Sequence, residues 1–268
     1  MAQFNNTMEI FKLLDKSNCR KCNKPTCLAF SAAVFQDQKK LDECPHLDKE
    51  IIKRYGVKAG NQMPLEQVRD ETIEQLKRKI TTTDLSSAAQ RLGAIFSDEK
   101  LTIKILGKNF SVDTKGNITT DIHVHAWIAI PVINYILEGA GVPVSGKWVP
   151  FRELEGGKTR YRLFEQRCEK PLKKVADTHT DLFEDMIRLF NGRQVENHYS
   201  SDISLVLHPL PKVPILICYW KPEDGFESSL NIFFDSTAEE NLNIESLYTL
   251  GAGLVIMFEK IALRHGKV

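Results

Sequence analysis

The stretch Asn18-Cys19-Arg20-Lys21-Cys22-Asn23-Lys24-Pro25-Thr26-Cys27, followed by Glu43-Cys44-Pro45, decides how the first part of this 268-residue chain folds. Its four cysteines have the spacing C-x2-C-x4-C-x16-C. The first three thiolates are close enough along the chain to surround one metal centre, and the fourth returns after about one helix length. Soft thiolate ligands at such spacing select an iron–sulfur cluster or zinc.

The position of the third cysteine favours the iron–sulfur reading. Zinc ribbons and fingers usually present two C-x2-C-like pairs, each on its own turn. Here the only such pair is Cys19 and Cys22, and Cys27 falls in the first turn of a predicted helix that Pro25 and Thr26 start. Unpaired N–H groups and the helix dipole stabilise a thiolate there. A structural zinc site remains the alternative.

The cysteines belong to a predicted small helical module covering residues 1–58. Asn6 or Thr7 can cap a first helix, and a second helix follows the ligand loop. The segment from Gly56 to Met63 has the composition of a linker, so a second domain is predicted over residues 64–268.

Composition points to a reducing compartment rather than to nucleic acid or membrane. Lys plus Arg total 36 against 35 Asp plus Glu, so net charge offers no argument for a polyanionic partner. The first residues lack a signal-peptide pattern, and the longest apolar stretch near the end, Leu254 to Phe258, is too short to span a bilayer. We therefore expect a cytoplasmic protein, in which clustered cysteines indicate metal or redox chemistry.

The second domain is predicted to be α+β, with an antiparallel sheet. Helices are predicted from Pro64 to Ile80, from Asp84 to Leu92, from Ala126 to Glu138, from Arg160 to Val175, from Asp181 to Phe190 and from Ile244 to Leu263. Strands are predicted over residues 101–106, 110–113, 117–120, 203–208, 213–220 and 229–235. Helices and meander strands that occur in blocks are typical of α+β folds.

Standard catalytic motifs are absent from the second domain, and two weaker features remain. His123 and His125 would share one face of a strand and could bind a metal or a macrocycle, although a half-exposed strand end before a buried helix is the simpler and favoured explanation. Trp148, Arg152 and Glu153 precede a Gly-Gly turn, as cofactor-binding residues on a loop would, or as a structural Arg–Glu pair would.

The other two cysteines are expected to differ. Cys218 lies in a strongly apolar run and should be a buried structural thiol. Cys168 lies among charged residues on a predicted helix and is expected to be exposed.

The cysteine segment resembles the small [4Fe-4S] domain of corrinoid iron–sulfur proteins and of the B subunit of Rnf-type electron-transport complexes. The resemblance covers about residues 8–50, through Asn-Cys-x-x-Cys-x-x-Pro-Thr-Cys-Leu-Ala-Phe-Ser and the later Cys-Pro. It implies that Cys19, Cys22, Cys27 and Cys44 bind one [4Fe-4S] cluster. Relatives often carry glycine where Asn23 stands, and asparagine adopts the left-handed conformation less easily.

The second domain resembles a domain of unknown function from anaerobic bacteria and archaea, which is often joined to such an iron–sulfur motif. The resemblance rests on Gly141 to Trp148, Gly156-Gly157, Leu210-Pro-x-x-Pro214, Trp220 and Phe233-Phe-Asp235. It implies an architecture and no catalytic residues.

Together the two resemblances imply a redox protein of anaerobic metabolism that transfers single electrons in corrinoid-linked one-carbon chemistry. A corrinoid could be a second cofactor, and a redox protein or a corrinoid protein the partner. The alternatives are an enzyme whose active site in the second domain receives electrons from the cluster, and a non-catalytic module with a structural or sensing cluster. The residues do not decide whether the chain is an enzyme.

Overall fold

The computed structural model describes residues 4, 6–35, 38–55, 65–121, 126–196, 198–223 and 225–265. The chain forms two compact units, Met1–Arg69 and Asp70–Val268. The predicted linker over residues 56–63 lies outside the described residues, so the boundaries at residues 58 and 64 stay predictions.

Three short helices and a cysteine-bearing loop build the N-terminal unit. They are α1 (Thr7–Leu13), α2 (Cys27–Phe35) and α3 (Lys49–Tyr55). The side chain of Asn6 caps α1 by accepting a hydrogen bond from the Glu9 amide at 3.1 Å, as the sequence predicts. A 3-10 turn over Leu41–Glu43 returns the chain to the helices. The apolar core is small, and units of this size commonly depend on a metal or a disulfide for stability.

Two helices and a four-stranded antiparallel sheet come first in the larger unit, and the first helix begins before the boundary at Asp70. The helices are α4 (Leu65–Ile80) and α5 (Leu85–Leu92). Asp84 caps α5, because its carboxylate accepts hydrogen bonds from the amides of Ser86 and Ser87 at 3.0 and 3.1 Å. The sheet runs in the order β1 (Ile95–Ser97), β2 (Lys100–Ile105), β3 (Lys108–Asp113) and β4 (Ile118–Thr120). The predicted hairpin of β3 and β4 is confirmed.

A five-stranded antiparallel sheet occupies the second half of this unit. Its strands are β5 (Trp148–Pro150), β6 (Arg193–Gln194), β7 (Ile203–Leu210), β8 (Val213–Trp220) and β9 (Ser229–Asp235), in the order β5-β9-β8-β7-β6. The three long strands are those that the sequence predicts. In the central strand β8 every residue before Trp220 is buried. This strand lies between β7 and β9, and side chains pack against it on both faces of the sheet.

Helices pack together with the five-stranded sheet in one apolar core. They are α6 (Ala126–Glu138), α7 (Gly157–Phe164), α8 (Lys170–Thr178), α9 (Leu182–Leu189), α10 (Ala238–Asn241) and α11 (Ile244–His265). A π-helical turn over Glu165–Glu169 joins α7 to α8 without a break. α11 packs on α6 and α8, and a Cβ added at Gly251 would lie 3.0 Å from the Phe164 ring. Glycine therefore allows the close helix packing that the sequence predicts.

Both sheets and these helices share one apolar core within the larger unit, which confirms the α+β prediction. The expectation that the apolar segment near the end of the chain is too short to span a bilayer needs correction. The segment Ile244–Arg264 of α11 is long and apolar enough to cross a membrane by length and composition alone, although 56% of it is buried inside the protein. The expectation considered only the uninterrupted apolar run from Leu254 to Phe258. The whole helix α11 is much longer, because it also includes the polar residues on either side of that run.

Candidate metal centre

The loop between α1 and α2 carries two of the predicted ligands, Cys19 and Cys22, and has an unusual backbone. Lys16, Asn18, Arg20 and Asn23 all have positive φ, at 62°, 51°, 62° and 58°. Each non-glycine residue in this region costs about 1 kcal/mol or more, and such residues persist where surrounding contacts or a ligand hold them. The left-handed conformation that the sequence allowed for Asn23 is confirmed.

Asn18 ties this loop to the third cysteine through a reciprocal pair of hydrogen bonds. The Cys27 amide donates to Asn18 Oδ1 at 2.8 Å, and the Asn18 amide donates to Cys27 Sγ at 3.4 Å. The first bond satisfies an orphan N–H at the start of α2, and Thr26 Oγ1 accepts another from the Ala29 amide at 3.0 Å. The second bond places an N–H donor against the Cys27 sulfur, an arrangement that suits a sulfur ligand of a metal centre.

Cys22, Cys27 and Cys44 lie in the small core of the N-terminal unit, with exposed fractions of 8%, 6% and 6%. Burial raises the pKa of the Cys44 thiol, and negative charge on Cys22, Asp15 and Cys27 raises it further, against a hydrogen bond from the His46 amide. Cys44 therefore lies close enough to Cys22 and Cys27 for their charges to interact. Several buried thiolates repel each other unless a cation lies among them, so the donor set fits a metal centre with sulfur ligands.

Asp15 borders the same site. Hydrogen bonds from the backbone and the hydroxyl of Ser17 lower the pKa of its carboxyl group, and its Oδ1 lies 3.9 Å from Cys27 Sγ. The group is exposed, so this shift says little about stability. Its charge adds to the negative character that a bound cation would offset.

Cys19 differs from the other three predicted ligands because it is only partly buried. Arg20 and Lys21 beside it are exposed, and Lys24 is half-buried. Among the described residues, none of these three cations forms an ion pair. The cysteine that solvent reaches therefore lies next to unpaired positive charge.

Within the described ranges, no three His, Cys, Asp or Glu side chains lie close enough to share a single metal ion. Four thiolates around one zinc bind at about 2.3 Å and therefore lie within about 4 Å of one another. In a four-iron cluster each thiolate binds a different iron, so the ligands lie farther apart.

The structure places the predicted cofactor-binding residues at one edge of the five-stranded sheet. Trp148 is half-buried in β5 and its carbonyl accepts a hydrogen bond from the Tyr199 hydroxyl at 3.1 Å. Arg152 and Glu153 are exposed in the 3-10 turn that follows, with the Arg152 guanidinium 5.4 Å from the centroid of the Tyr161 ring. The described clefts are lined by other residues. Their binding role stays a prediction, and His123 and His125 lie outside the described residues.

The two remaining cysteines are both fully buried. This confirms the prediction for Cys218 and shows that the expected exposure of Cys168 was wrong. Cys168 lies in the π-helical turn and faces α11, where a Cβ added at Gly251 would be 3.6 Å from its sulfur. Burial strongly raises the pKa of the Cys168 thiol, so a reactive thiolate is disfavoured.

Sequence comparisons agree with this division into two units. The family model described as "Domain of unknown function (DUF3786)" matches residues 84–257, which is well over half of the chain. The chain belongs to the DUF3786 family. A second model, described as "Putative Fe-S cluster", matches residues 14–46 and includes all four predicted ligands, which supports an iron–sulfur cofactor beside the DUF3786 domain.

The curated relatives match short stretches of this chain. The acetyl-CoA decarbonylase/synthase complex subunit gamma of Methanocaldococcus jannaschii is 44% identical over 41 residues, which are 15% of this chain and 8% of that protein. The corrinoid/iron-sulfur protein large subunit of Moorella thermoacetica is 45% identical over 40 residues, or 15% and 9%. The match to the gamma subunit of Methanopyrus kandleri is longer, at 30% identity over 81 residues, or 30% and 16%.

The DUF3786 chain thus spans less than a fifth of the length of these relatives. No solved structure matches it.

Proposed function

We propose that the DUF3786 chain is a cytoplasmic iron–sulfur redox protein in which Cys19, Cys22, Cys27 and Cys44 bind one [4Fe-4S] cluster. A bound cluster of this type supplies a one-electron couple whose potential depends on charge, on hydrogen bonds to sulfur and on solvent exposure. The observation that carries the proposal is that three buried thiols, Cys22, Cys27 and Cys44, share the small core of the N-terminal unit. The partly exposed Cys19 lies on the loop that also carries Cys22.

The residues of the N-terminal unit control the features on which such a potential depends. The Asn18 amide donates to the Cys27 sulfur, and apolar side chains exclude water from Cys22, Cys27 and Cys44. Cys19 is the least buried of the four cysteines, so it offers an electron the shortest path between solvent and the site. We therefore place the point of electron entry or exit at Cys19.

Corrinoid-linked one-carbon metabolism of anaerobes is the proposed setting. The support is the similarity of the cysteine segment to the gamma subunits and to the corrinoid/iron-sulfur large subunit. Because the aligned residues make up only 15% of this chain, they support a cluster-binding segment and give no support for a corrinoid site in this chain. A corrinoid carried by a partner protein is therefore the proposed redox counterpart, for example through reduction of its cobalt.

The charge around Cys19 indicates the chemistry of the protein partner. Arg20, Lys21 and Lys24 are unpaired among the described residues, and they carry positive charge next to the proposed point of electron transfer. Such a surface speeds association with an acidic redox protein by electrostatic steering.

Metal and sulfide analysis of anaerobically purified protein tests the cluster. We expect about four irons and four sulfides per chain, as in one [4Fe-4S] centre. Cys22→Ser should abolish or strongly destabilise the visible absorption, whereas the control Cys218→Ser, which changes a buried thiol of the other unit, should leave it intact. Stoichiometric zinc without iron would refute the proposal, and a cluster that no reductant bleaches would point to a structural role.

Charge reversal tests the partner surface. The double variant Lys21→Glu/Lys24→Glu should slow reduction by an acidic ferredoxin about 10-fold at low salt, and the wild-type rate should fall as salt rises. The control Lys158→Glu/Lys174→Glu changes the net charge by the same amount on the larger unit. It should alter the rate less than twofold, because these lysines are not part of the loop that would steer the acidic partner. Equal rates in both double variants would leave the loop cations with only the local role of offsetting the charge of the site.

A further inference from the structure

We propose that a cleft in the larger unit binds a small organic carboxylate with a short apolar chain. The cleft has a volume of about 330 Å³, which is at the lower end of the range for small-molecule sites. One wall is the four-stranded sheet, through Lys104 on β2 and Asn109 on β3. The opposite wall carries His208 of β7 and Asn191, which follows α9.

A β-bulge brings His208 to this cleft. The pairing of β7 with β8 is regular up to Leu207 and resumes at Leu210 with a shifted register. The carbonyl of His208 inside the bulge accepts a hydrogen bond from the Leu106 amide at 3.0 Å, which ties the bulge to the turn between β2 and β3. Bulges re-aim side chains and are frequent beside functional sites, so this one gives His208 a place in the cleft wall that a regular hairpin would not.

Left-handed residues gather around the same cleft. Leu106 and Asn191 both have φ of 50°, and Gly107 has φ of 78°. A Cβ added at Gly107 would lie 2.6 Å from the Asn191 Cβ, so only glycine lets Asn191 approach so closely. Leu106 is buried in a conformation that costs a leucine about 1–2 kcal/mol. Strain of this kind collects at ligand sites, where the surrounding structure maintains it.

The polar groups of the cleft indicate an anion. Within the part of the chain that the structure describes, the side chains of Lys104, Asn109, Asn191 and His208 have no hydrogen bond or ion pair to protein. No Asp or Glu is among the lining residues, so Lys104 is the formal positive charge of the lining; the Asp121 carboxylate accepts a hydrogen bond from the backbone amide of Asn109 at 3.1 Å. Although His208 keeps an exposed edge, desolvation lowers the pKa of its imidazole, which is therefore mainly a neutral hydrogen-bonding group at pH 7.

Apart from Thr102, the rest of the lining is apolar, which favours a ligand with a hydrocarbon portion. Ile95 and Pro211 contribute hydrocarbon surface, and Ile95 is two-thirds exposed, at 66%. Ile103 also borders the cleft, but it is 2% exposed, and its side chain points to the face of β2 opposite that of Lys104. An inorganic anion such as phosphate would leave this surface in contact with water. A carboxylate that bonds to Lys104 and the two carboxamides, with a short alkyl chain against Ile95 and Pro211, matches both the polar and the apolar part of the lining.

Calorimetric titration of the full-length protein with sodium butanoate tests the proposal, with sodium chloride as the ionic-strength blank. We expect a dissociation constant in the millimolar range, as is usual for a ligand of so few atoms. Butanamide and inorganic phosphate should each bind at least 10-fold more weakly. Lys104→Gln should weaken butanoate binding at least 10-fold, whereas Lys108→Gln, at the other end of the same β2–β3 turn and outside the cleft, should change it less than twofold.

A second variant separates the cleft from a general effect of surface charge. Asn191→Gly preserves the left-handed backbone and removes one carboxamide, so it should weaken butanoate binding several-fold without changing the fold. The proposal is overturned if butanoate gives no saturable heat, if phosphate binds as tightly as butanoate, or if Lys104→Gln and Lys108→Gln behave alike.

Discussion

Replacement of Glu169 tests how the larger unit is held together. This glutamate lies in the π-helical turn between α7 and α8 and is 4% exposed. Its Oε1 accepts a hydrogen bond from the Ile232 amide at 3.1 Å, and its Oε2 accepts one from the Tyr161 hydroxyl at 3.2 Å. The short strand β5 pairs with β9 only as far as Phe233. The Glu169 carboxylate therefore takes the place of a strand partner for the amide of Ile232.

The size of the effect follows from those two bonds. Glu169→Ala would leave the buried Ile232 amide without an acceptor, which costs about 1–3 kcal/mol before any cavity is counted. Glu169→Gln keeps an oxygen that can accept from Ile232 and should change the stability by less than about 1 kcal/mol at pH 5. Tyr161→Phe removes only the donor to Oε2 and should cost about 0.5–1.5 kcal/mol.

The charge of Glu169 adds a pH dependence with a definite sign. Burial raises the pKa of its carboxyl group, and the nearby Glu165 carboxylate raises it further, against the Ile232 and Tyr161 hydrogen bonds. The folded state therefore holds this proton more tightly than the unfolded state does. The stabilisation from the protonated form is complete below the unfolded pKa near 4.5 and is lost as the pH rises through the raised folded value.

Urea unfolding followed by tryptophan fluorescence measures both effects. The three tryptophans, Trp127, Trp148 and Trp220, all belong to the larger unit, so the signal reports that unit alone. We expect the urea midpoint of Glu169→Ala to fall by about 1 M, from a loss near 2 kcal/mol and a slope near 2 kcal/mol/M. The midpoint of Glu169→Gln should rise relative to wild type between pH 5 and pH 8. Equal midpoints for Ala and Gln, or no pH trend in their difference from wild type, would refute the reasoning.

Three further predictions concern the same fold. Gly251→Ala places a methyl group 3.0 Å from the Phe164 ring and should lower the stability of the larger unit by about 1–3 kcal/mol in the same urea assay, unless α11 shifts without cost. Asp84→Ala removes the cap of α5 and should cost about 1 kcal/mol, with Asp84→Asn close to wild type; equal losses would contradict a capping role. A fragment of residues 64–268 should unfold cooperatively by circular dichroism, because its core is large enough without the cysteine site, and an unfolded fragment would show that the boundary is wrong.

Long periodic segments of this chain could be predicted without coordinates. The α5 helix shows its capping aspartate and its apolar spacing in the sequence, and β8 shows a run of strongly β-forming residues. The short strands β1, β5 and β6 have only two or three residues each and carry no such signal. They form because a longer neighbouring strand offers unpaired backbone groups, which is a tertiary effect.

The prediction for Cys168 failed for a related reason. Charged neighbours on both sides suggested an exposed position, since they are usually found on solvated helix faces. The π-helical turn changes the angular spacing of side chains in this segment, and the missing side chain of Gly251 leaves room for the sulfur. Neither feature is visible in a window of sequence around Cys168.

The sequence by itself predicted the metal chemistry proposed for this protein, because ligand type and spacing are properties of the chain. Four cysteines at fixed intervals indicate a thiolate-bound centre before any fold is known. It also determined the division into a small helical module and an α+β domain through periodicity. Only the tertiary structure decided which cysteine stays open to solvent, and only it brought Lys104, Asn109, Asn191 and His208 to one cleft. Those side chains come from strands and a loop far apart in the chain, and their meeting depends on a bulge and on left-handed turns that packing selects.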